Sequence, residues 1–182
     1  MIAITGGIAE GKSTVLEVLR KEGLRVLSAD EVVKEIWQDS AILGALGELL
    51  GLPEPNKEAV TKKIVESESA RHEVNRFFHP RVHRKIVNSD AEAAEIPLLF
   101  ETCTQGSYSS IWVVTCGQEE QLKRLSARVG RERAEQLLDL QLPTRAKIPF
   151  ADEVLRTNGT LADVHTATCH ALERFRQNRL LP

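Results

Sequence analysis

The segment Gly6-Gly7-Ile8-Ala9-Glu10-Gly11-Lys12-Ser13 constrains this chain more than any other. It matches the pattern Gly-x-x-x-x-Gly-Lys-Ser/Thr and stands between a short apolar run, Ile2 to Thr5, and a stretch whose apolar residues Val15, Leu16, Val18 and Leu19 recur at helical spacing. Strand, glycine loop and helix in that order let successive backbone N–H groups face an anion. The amino end of the helix then sets its positive dipole end under the same charge. On this pattern Lys12 reaches the β and γ oxygens of a nucleotide, the Ser13 hydroxyl completes a Mg²⁺ shell, and Thr14 adds a donor. A glycine turn that binds nothing is the competing account, and the strand before and helix after the loop argue against it.

Gly23 caps the first helix, and Leu24 to Ser28 read as a second strand, giving a βαβ unit. From Ala29 to about Arg84 the patterns are helical, with Lys57 to Val65 and Arg71 to Phe78 as helices and a break at Gly51-Leu52-Pro53-Glu54-Pro55. Ile96 to Phe100 and Ile111 to Thr115 have the length and apolarity of strands, with Glu153-Val154-Leu155 as a weaker third. Glu119 to Leu142 and Leu161 to Arg176 are amphipathic and read as helices. Alternation of strands with helices predicts a three-layer α/β/α domain around a parallel sheet. With 182 residues, of which 42% are hydrophobic, one well-filled core is expected.

Lys and Arg total 24 against 26 Asp and Glu, so net charge gives no reason to expect nucleic acid as a partner and any phosphate binding must be local. The three cysteines, Cys103, Cys116 and Cys169, form no Cys-x-x-Cys pair and suit a reducing compartment. The first residues do not resemble a signal peptide, and no stretch approaches a membrane span. A cytoplasmic protein without membrane contact is expected.

Asp30 follows the second strand, at the sheet edge that carries the loop, where a carboxylate can take an acceptor's proton or hold Mg²⁺. It can also serve as the N-cap of the next helix. Glu101, after Phe100, is a second carboxylate for that edge, unless it is simply a surface residue. Arg124, Arg128, Arg131 and Arg133 gather around Gly130, as in a lid that clamps phosphate oxygens or, more ordinarily, on a solvated helix face. His79 and His83 are four apart but lack further metal ligands, and His79-Pro80 reads as a boundary between helices. Trp37 and Trp112 read as core residues.

The ordered set Thr5-Gly6-Gly7-Ile8, Ser28-Ala29-Asp30, His79-Pro80, Pro97-Leu98-Leu99-Phe100-Glu101, Gln121-Leu122-Lys123-Arg124 and Thr157-Asn158-Gly159 resembles the dephospho-coenzyme A kinase family across nearly the whole chain. The resemblance implies a single phosphate-loop kinase domain over residues 1–182. Residues 1–30 and 90–182 would form the nucleotide core, 31–89 a helical acceptor-binding insertion, and 124–147 a lid. It implies transfer of phosphate from Mg-ATP to the ribose 3′-hydroxyl of dephospho-coenzyme A, the last step of coenzyme A synthesis, with a monomer favoured. Asp30 matches the family's general base, and Lys12 the catalytic lysine of its ATP loop. Gly7, Ile8, Ala9, Glu10, Gly11, Ser13, Thr14, Asn158 and Gly159 match ATP-binding positions. His79, Arg81, Leu99 and Glu101, with Asp30, match the acceptor side, and Arg124, Arg128, Arg145 and Lys147 fall in the lid.

The chain departs from that pattern at several points. Ser28 stands where the family has an aspartate, Ala9-Glu10 where it favours Gly-Ser, Lys147 where an arginine is usual, and Glu95 in place of an aspartate. The lysine keeps the charge and loses the bidentate fork. Glu10 sets an acidic side chain beside a phosphate site unless it points outward. Two other readings follow from these features: a kinase for another small molecule or nucleotide, or a catalytically weakened nucleotide-binding regulatory protein. A guanine-reading Asn-Lys-x-Asp is missing, since Asn56-Lys57-Glu58-Ala59 lacks the acid.

Overall fold

The computed structural model describes residues 1–179; the last three residues of the expected core lie outside them. In chain order the elements are β1 (Ile2–Thr5), α1 (Lys12–Lys21), β2 (Val26–Ser28), α2 (Ala29–Ile36), α3 (Ser40–Leu50), α4 (Lys57–Glu66), α5 (Glu68–Val87), β3 (Ala93–Glu95), β4 (Ser110–Thr115), α6 (Gln118–Val129), α7 (Arg131–Asp139), α8 (Thr144–Lys147), β5 (Glu153–Arg156) and α9 (Leu161–Asn178). Two compact units result. One runs from Met1 to Leu27 and resumes at Asp90; the other spans Ser28–Ser89.

The first unit holds a five-stranded sheet in the order β2-β3-β1-β4-β5. β1 pairs in parallel with β3 and β4, and β4 with β5. Successive side chains alternate across the sheet, so Ile2, Ile4, Trp112 and Val114 share one face and meet α1 and α9 through Val15, Leu19, Val164 and Leu172. Trp112 is fully buried, donates its ring N–H to Ser110 Oγ at 3.1 Å and meets Phe175 edge to face at 6.4 Å. Burial of such a side chain contributes about 2 to 3 kcal/mol, and a satisfied ring N–H keeps that gain intact. The parallel sheet flanked by helices is the expected three-layer α/β fold.

Two sequence expectations are corrected here. The strand next to β1 is Ala93–Glu95 and not the more apolar Ile96 to Phe100. Ala93 and Ala94 are fully buried, and Ala93 joins the core cluster formed with α1. Pro97 cannot donate to a ladder, and the chain turns after it, with Thr102 N–H donating to Leu98 O at 3.0 Å.

The second correction concerns His79-Pro80, which is no boundary: α5 continues through Pro80 to Val87. Pro80 costs the helix one N–H, and the turn survives because Phe78 and Ile86 on either side are buried and hold it in place. Within the Ser28–Ser89 unit α5 packs against α2, α3 and α4, and Trp37 stacks on Phe78 with ring centroids 5.0 Å apart.

Candidate active site

The loop after β1 is held by four of the surrounding segments. Its bends use positive φ at Gly6, Ala9 and Gly11, of 145°, 62° and 86°. A Cβ on Gly7 would collide with Gln121 Nε2, and one on Gly11 would stand 3.0 Å from Thr157 Oγ1, so both positions need glycine for close approach. Ala9 has no such excuse and bears the strain of a left-handed alanine, about 1 kcal/mol.

Glu10 points inward and is 1% exposed. Its carboxylate accepts from Gly7 N–H at 2.5 Å, from Thr115 Oγ1 at 3.0 Å and from the Thr144 hydroxyl in a short contact. Three donors offset the desolvation of a buried carboxylate. The Thr157 hydroxyl donates to Glu10 O at 2.7 Å, Gln121 Nε2 donates to Ile8 O at 2.9 Å, and Ile8 N–H donates to Gln141 Oε1 at 3.1 Å. The loop is thereby fastened to the ends of β4 and β5, to α6 and to the segment leading into α8. The acidic residue that departs from the family pattern is turned behind the loop, where it closes a network.

The amino end of α1 is left differently. Its cap, Gly11, makes no side-chain hydrogen bond, as at the starts of α6, α7 and α8, whereas α2, α3, α4, α5 and α9 each begin with a side-chain cap. First-turn N–H groups have no intrahelical acceptor, so this end has donors and a positive dipole to offer a phosphate. Lys12 lies there, 7% exposed, with its ammonium donating to Gly7 O at 2.8 Å and standing 4.0 Å from Glu95 Oε1. Ser13 is exposed in the same turn. Ammonium, hydroxyl and carboxylate around one helix end are a donor set that suits a phosphate with a hard divalent ion.

At the other end of the predicted lid, Lys147 is fully buried and pairs with Glu101 Oε1 at 2.8 Å while donating to Pro97 O at 3.2 Å. Glu101 also accepts from Leu142 N–H at 3.0 Å. Two residues named for different roles, one lid and one acceptor-side, are therefore ion partners. Leu99 is fully buried. Arg124 donates to Thr157 O at 2.7 Å and pairs with Glu120 at 2.9 Å, which anchors it beside the exposed Asn158 and Gly159. Arg128 and Arg145 are exposed, and Arg131 pairs along its own helix with Glu135 at 2.9 Å.

The remaining candidates belong to the Ser28–Ser89 unit. Asp30 is exposed in the first turn of α2, and it is not the N-cap: Ser28 accepts from Asp30 N–H at 3.2 Å while Glu31 accepts from Ser28 N–H at 3.0 Å. Serine in place of the family's aspartate is thus a good cap, and Asp30 is spared that duty. His79 is half-buried, and desolvation pulls its pKa below the ordinary value. Arg81 folds back on its own helix, with its guanidinium 3.6 Å above the Phe77 ring and a hydrogen bond to Phe77 O at 2.8 Å. Sequence reasoning missed Thr115, Gln121, Gln141 and Thr144 as loop partners, and Glu95 as the neighbour of Lys12.

Comparison with known proteins identifies the family. The dephospho-CoA kinase family model matches residues 1–163. A dephospho-CoA kinase of Geobacter metallireducens is 33% identical, with 88% of this chain and 89% of the relative covered. One of Streptococcus mutans is 29% identical over 96% and 97%. Among solved structures, a Thermus thermophilus protein superposes with TM-score 0.74 at 28% identity, covering 95% of this chain and 96% of that one. The dephospho-CoA kinase of Campylobacter jejuni gives 0.70 at 22%, covering 98% of both chains. Shikimate kinase of Aquifex aeolicus shares the fold alone, at 0.56 and 18% identity over 94% and 95%. The chain belongs to the dephospho-CoA kinase family, and is a kinase on the phosphate-loop fold.

Proposed function

We propose that this protein transfers the γ-phosphoryl group of ATP to the ribose 3′-hydroxyl of dephospho-coenzyme A, the closing step of coenzyme A synthesis. The observation that carries the reading is the amino end of α1, left uncapped and provided with Lys12 and Ser13, within a chain that matches the family model over residues 1–163. Lys12 would leave Gly7 O to neutralise charge on the β and γ oxygens, and the loop N–H groups from Glu10 to Ser13 would take the remaining oxygens. The Glu10 carboxylate favours this because its donors are Gly7 N–H and two threonine hydroxyls, which leaves the helix end to the nucleotide. Bound Mg²⁺, held through the Ser13 hydroxyl, would offset the negative charge of the transferring group.

Asp30 is assigned the role of general base toward the acceptor hydroxyl, since it is exposed and takes no part in capping α2. His79, Arg81, Leu99 and Glu101 are assigned to the acceptor side, Asn158 and Gly159 to the ATP base, and residues 124–147 to a lid. Within that lid Lys147 acts through its pairing with Glu101, as a positioning residue, while exposed Arg128 and Arg145 are the ones able to meet phosphate. The expected setting is cytoplasmic, with a monomeric enzyme.

The test is ADP release from Mg-ATP with dephospho-coenzyme A, adenosine, AMP or no acceptor, with Lys12→Ala as control. Turnover confined to dephospho-coenzyme A and lost in the control supports the reading. Turnover with a different acceptor, or ATP binding with no acceptor-dependent release, replaces it with one of the two other readings of the sequence.

A further inference from the structure

Away from the loop, α1 and α9 pack side by side on one sheet face and bring together three residues that the kinase reading does not use. Glu22 ends α1, while His165 and Cys169 lie four residues apart and therefore on one face of α9. We propose that Glu22, His165 and Cys169 form a binding site for a zinc-class divalent cation, with water as the fourth ligand.

The geometry is the first ground. Cys169 Sγ lies 3.6 Å from His165 Nδ1. In a tetrahedral zinc site, with Zn–S of about 2.3 Å and Zn–N of about 2.0 to 2.1 Å, sulfur and nitrogen stand about 3.6 Å apart, so this pair already has the separation that an ion requires. One ligand atom from each of the three residues lies within 4.8 Å of the others. Glu22 Oε1 is 3.7 Å from His165 Nε2, and rotation of its side chain brings an oxygen toward the ion.

The donor set is the second ground. Sulfur, imidazole nitrogen and one carboxylate oxygen select a borderline ion such as Zn²⁺ or Co²⁺ over Mg²⁺ or Ca²⁺, which want oxygen throughout. The His165 and Glu22 side chains are 49% and 37% exposed, which gives an ion a path from solvent. Binding then releases the thiol proton to solvent as the S–metal bond forms. A bound ion would staple the carboxyl end of the loop helix to α9, about 15 Å along α1 from the phosphate end.

Cobalt is the probe. Titration of the intact protein with Co²⁺ is expected to give one equivalent of thiolate-to-cobalt charge-transfer absorption, displaced by Zn²⁺. Cys169→Ser abolishes it, His165→Ala weakens it at least tenfold, and Glu22→Gln weakens it by about tenfold. As a readout that needs no variant, Zn²⁺ is expected to slow alkylation of Cys169, followed by peptide mass, while Cys103 reacts unchanged. Absence of the absorption, its persistence in Cys169→Ser, or alkylation of Cys169 at the same rate with and without Zn²⁺ overturns the proposal.

Discussion

The phosphate loop and the Ser28–Ser89 unit deal with polar side chains in opposite ways. Around the loop, charged and hydroxyl groups are locked to one another and mostly buried: Glu10 with Thr115 and Thr144, Thr157 with the loop backbone, and the buried Lys147 with Glu101 at the surface. In the helical unit Asp30 lies at the surface and Arg81 leans on its own helix, while His79 is half-buried. A buried network fixes geometry at a cost in desolvation, which suits a site for phosphate, whose shape does not change between substrates. Exposed side chains stay adjustable, which suits the handling of a larger acceptor.

The largest stability loss is expected from taking the partner away from the buried Lys147 ammonium. Glu101→Ala leaves the Lys147 ammonium uncompensated and is expected to cost about 3 kcal/mol in urea denaturation, while Glu101→Leu combined with Lys147→Met recovers most of it. An equal loss in the double variant would show that packing, and not charge, is what the pair supplies. Glu10→Ala takes the acceptor from two threonine hydroxyls, while Gly7 N–H keeps Thr144 Oγ1 at 3.0 Å, and is expected to cost about 2 kcal/mol. Ala9→Gly relieves the left-handed backbone and is expected to gain about 0.5 to 1 kcal/mol, with unchanged stability counting against strain in the loop.

The smallest effect belongs to the helical unit and depends on pH. Desolvation lowers the pKa of His79 in the folded state, so the unfolded chain binds the proton more readily. The neutral ring's contribution is fully present above the unfolded value of about 6.5 and is lost as pH falls through that value toward the folded one. His79→Gln is expected to flatten that part of the stability profile. An unchanged profile would place the acid sensitivity elsewhere.

How far these features can be read from sequence depends on how local they are. The loop, β1 and α1 form one contiguous segment, and glycine spacing with helical periodicity suffices to find them. The partners of the loop are single polar residues between 105 and 147 positions away, in stretches that read only as strand ends or amphipathic helix. No periodicity marks Thr115 and Thr144 as donors to a buried carboxylate, or Gln121 as a donor to the loop carbonyl of Ile8.

β3 was obscured for another reason. Two buried alanines carry a weaker apolar signal than Leu98-Leu99-Phe100, yet space between neighbouring strands and the missing N–H of Pro97 decide the pairing. Pro80 misled in the same way: a local breaker was overridden by burial of Phe78 and Ile86 on one continuous helix. Asp30, in contrast, is a candidate readable from its place after β2, and Ser28 takes the capping duty that the sequence also offered it.

The most direct test of this division is the kinetics of Asp30→Asn with dephospho-coenzyme A and Mg-ATP, measured beside ATP affinity. Loss of at least about 100-fold in kcat, with ATP affinity within about twofold and the folded protein equally stable, is the predicted result, because an exposed base is removed while the nucleotide network is untouched. A parallel loss of turnover and ATP affinity, or full turnover, would contradict the account.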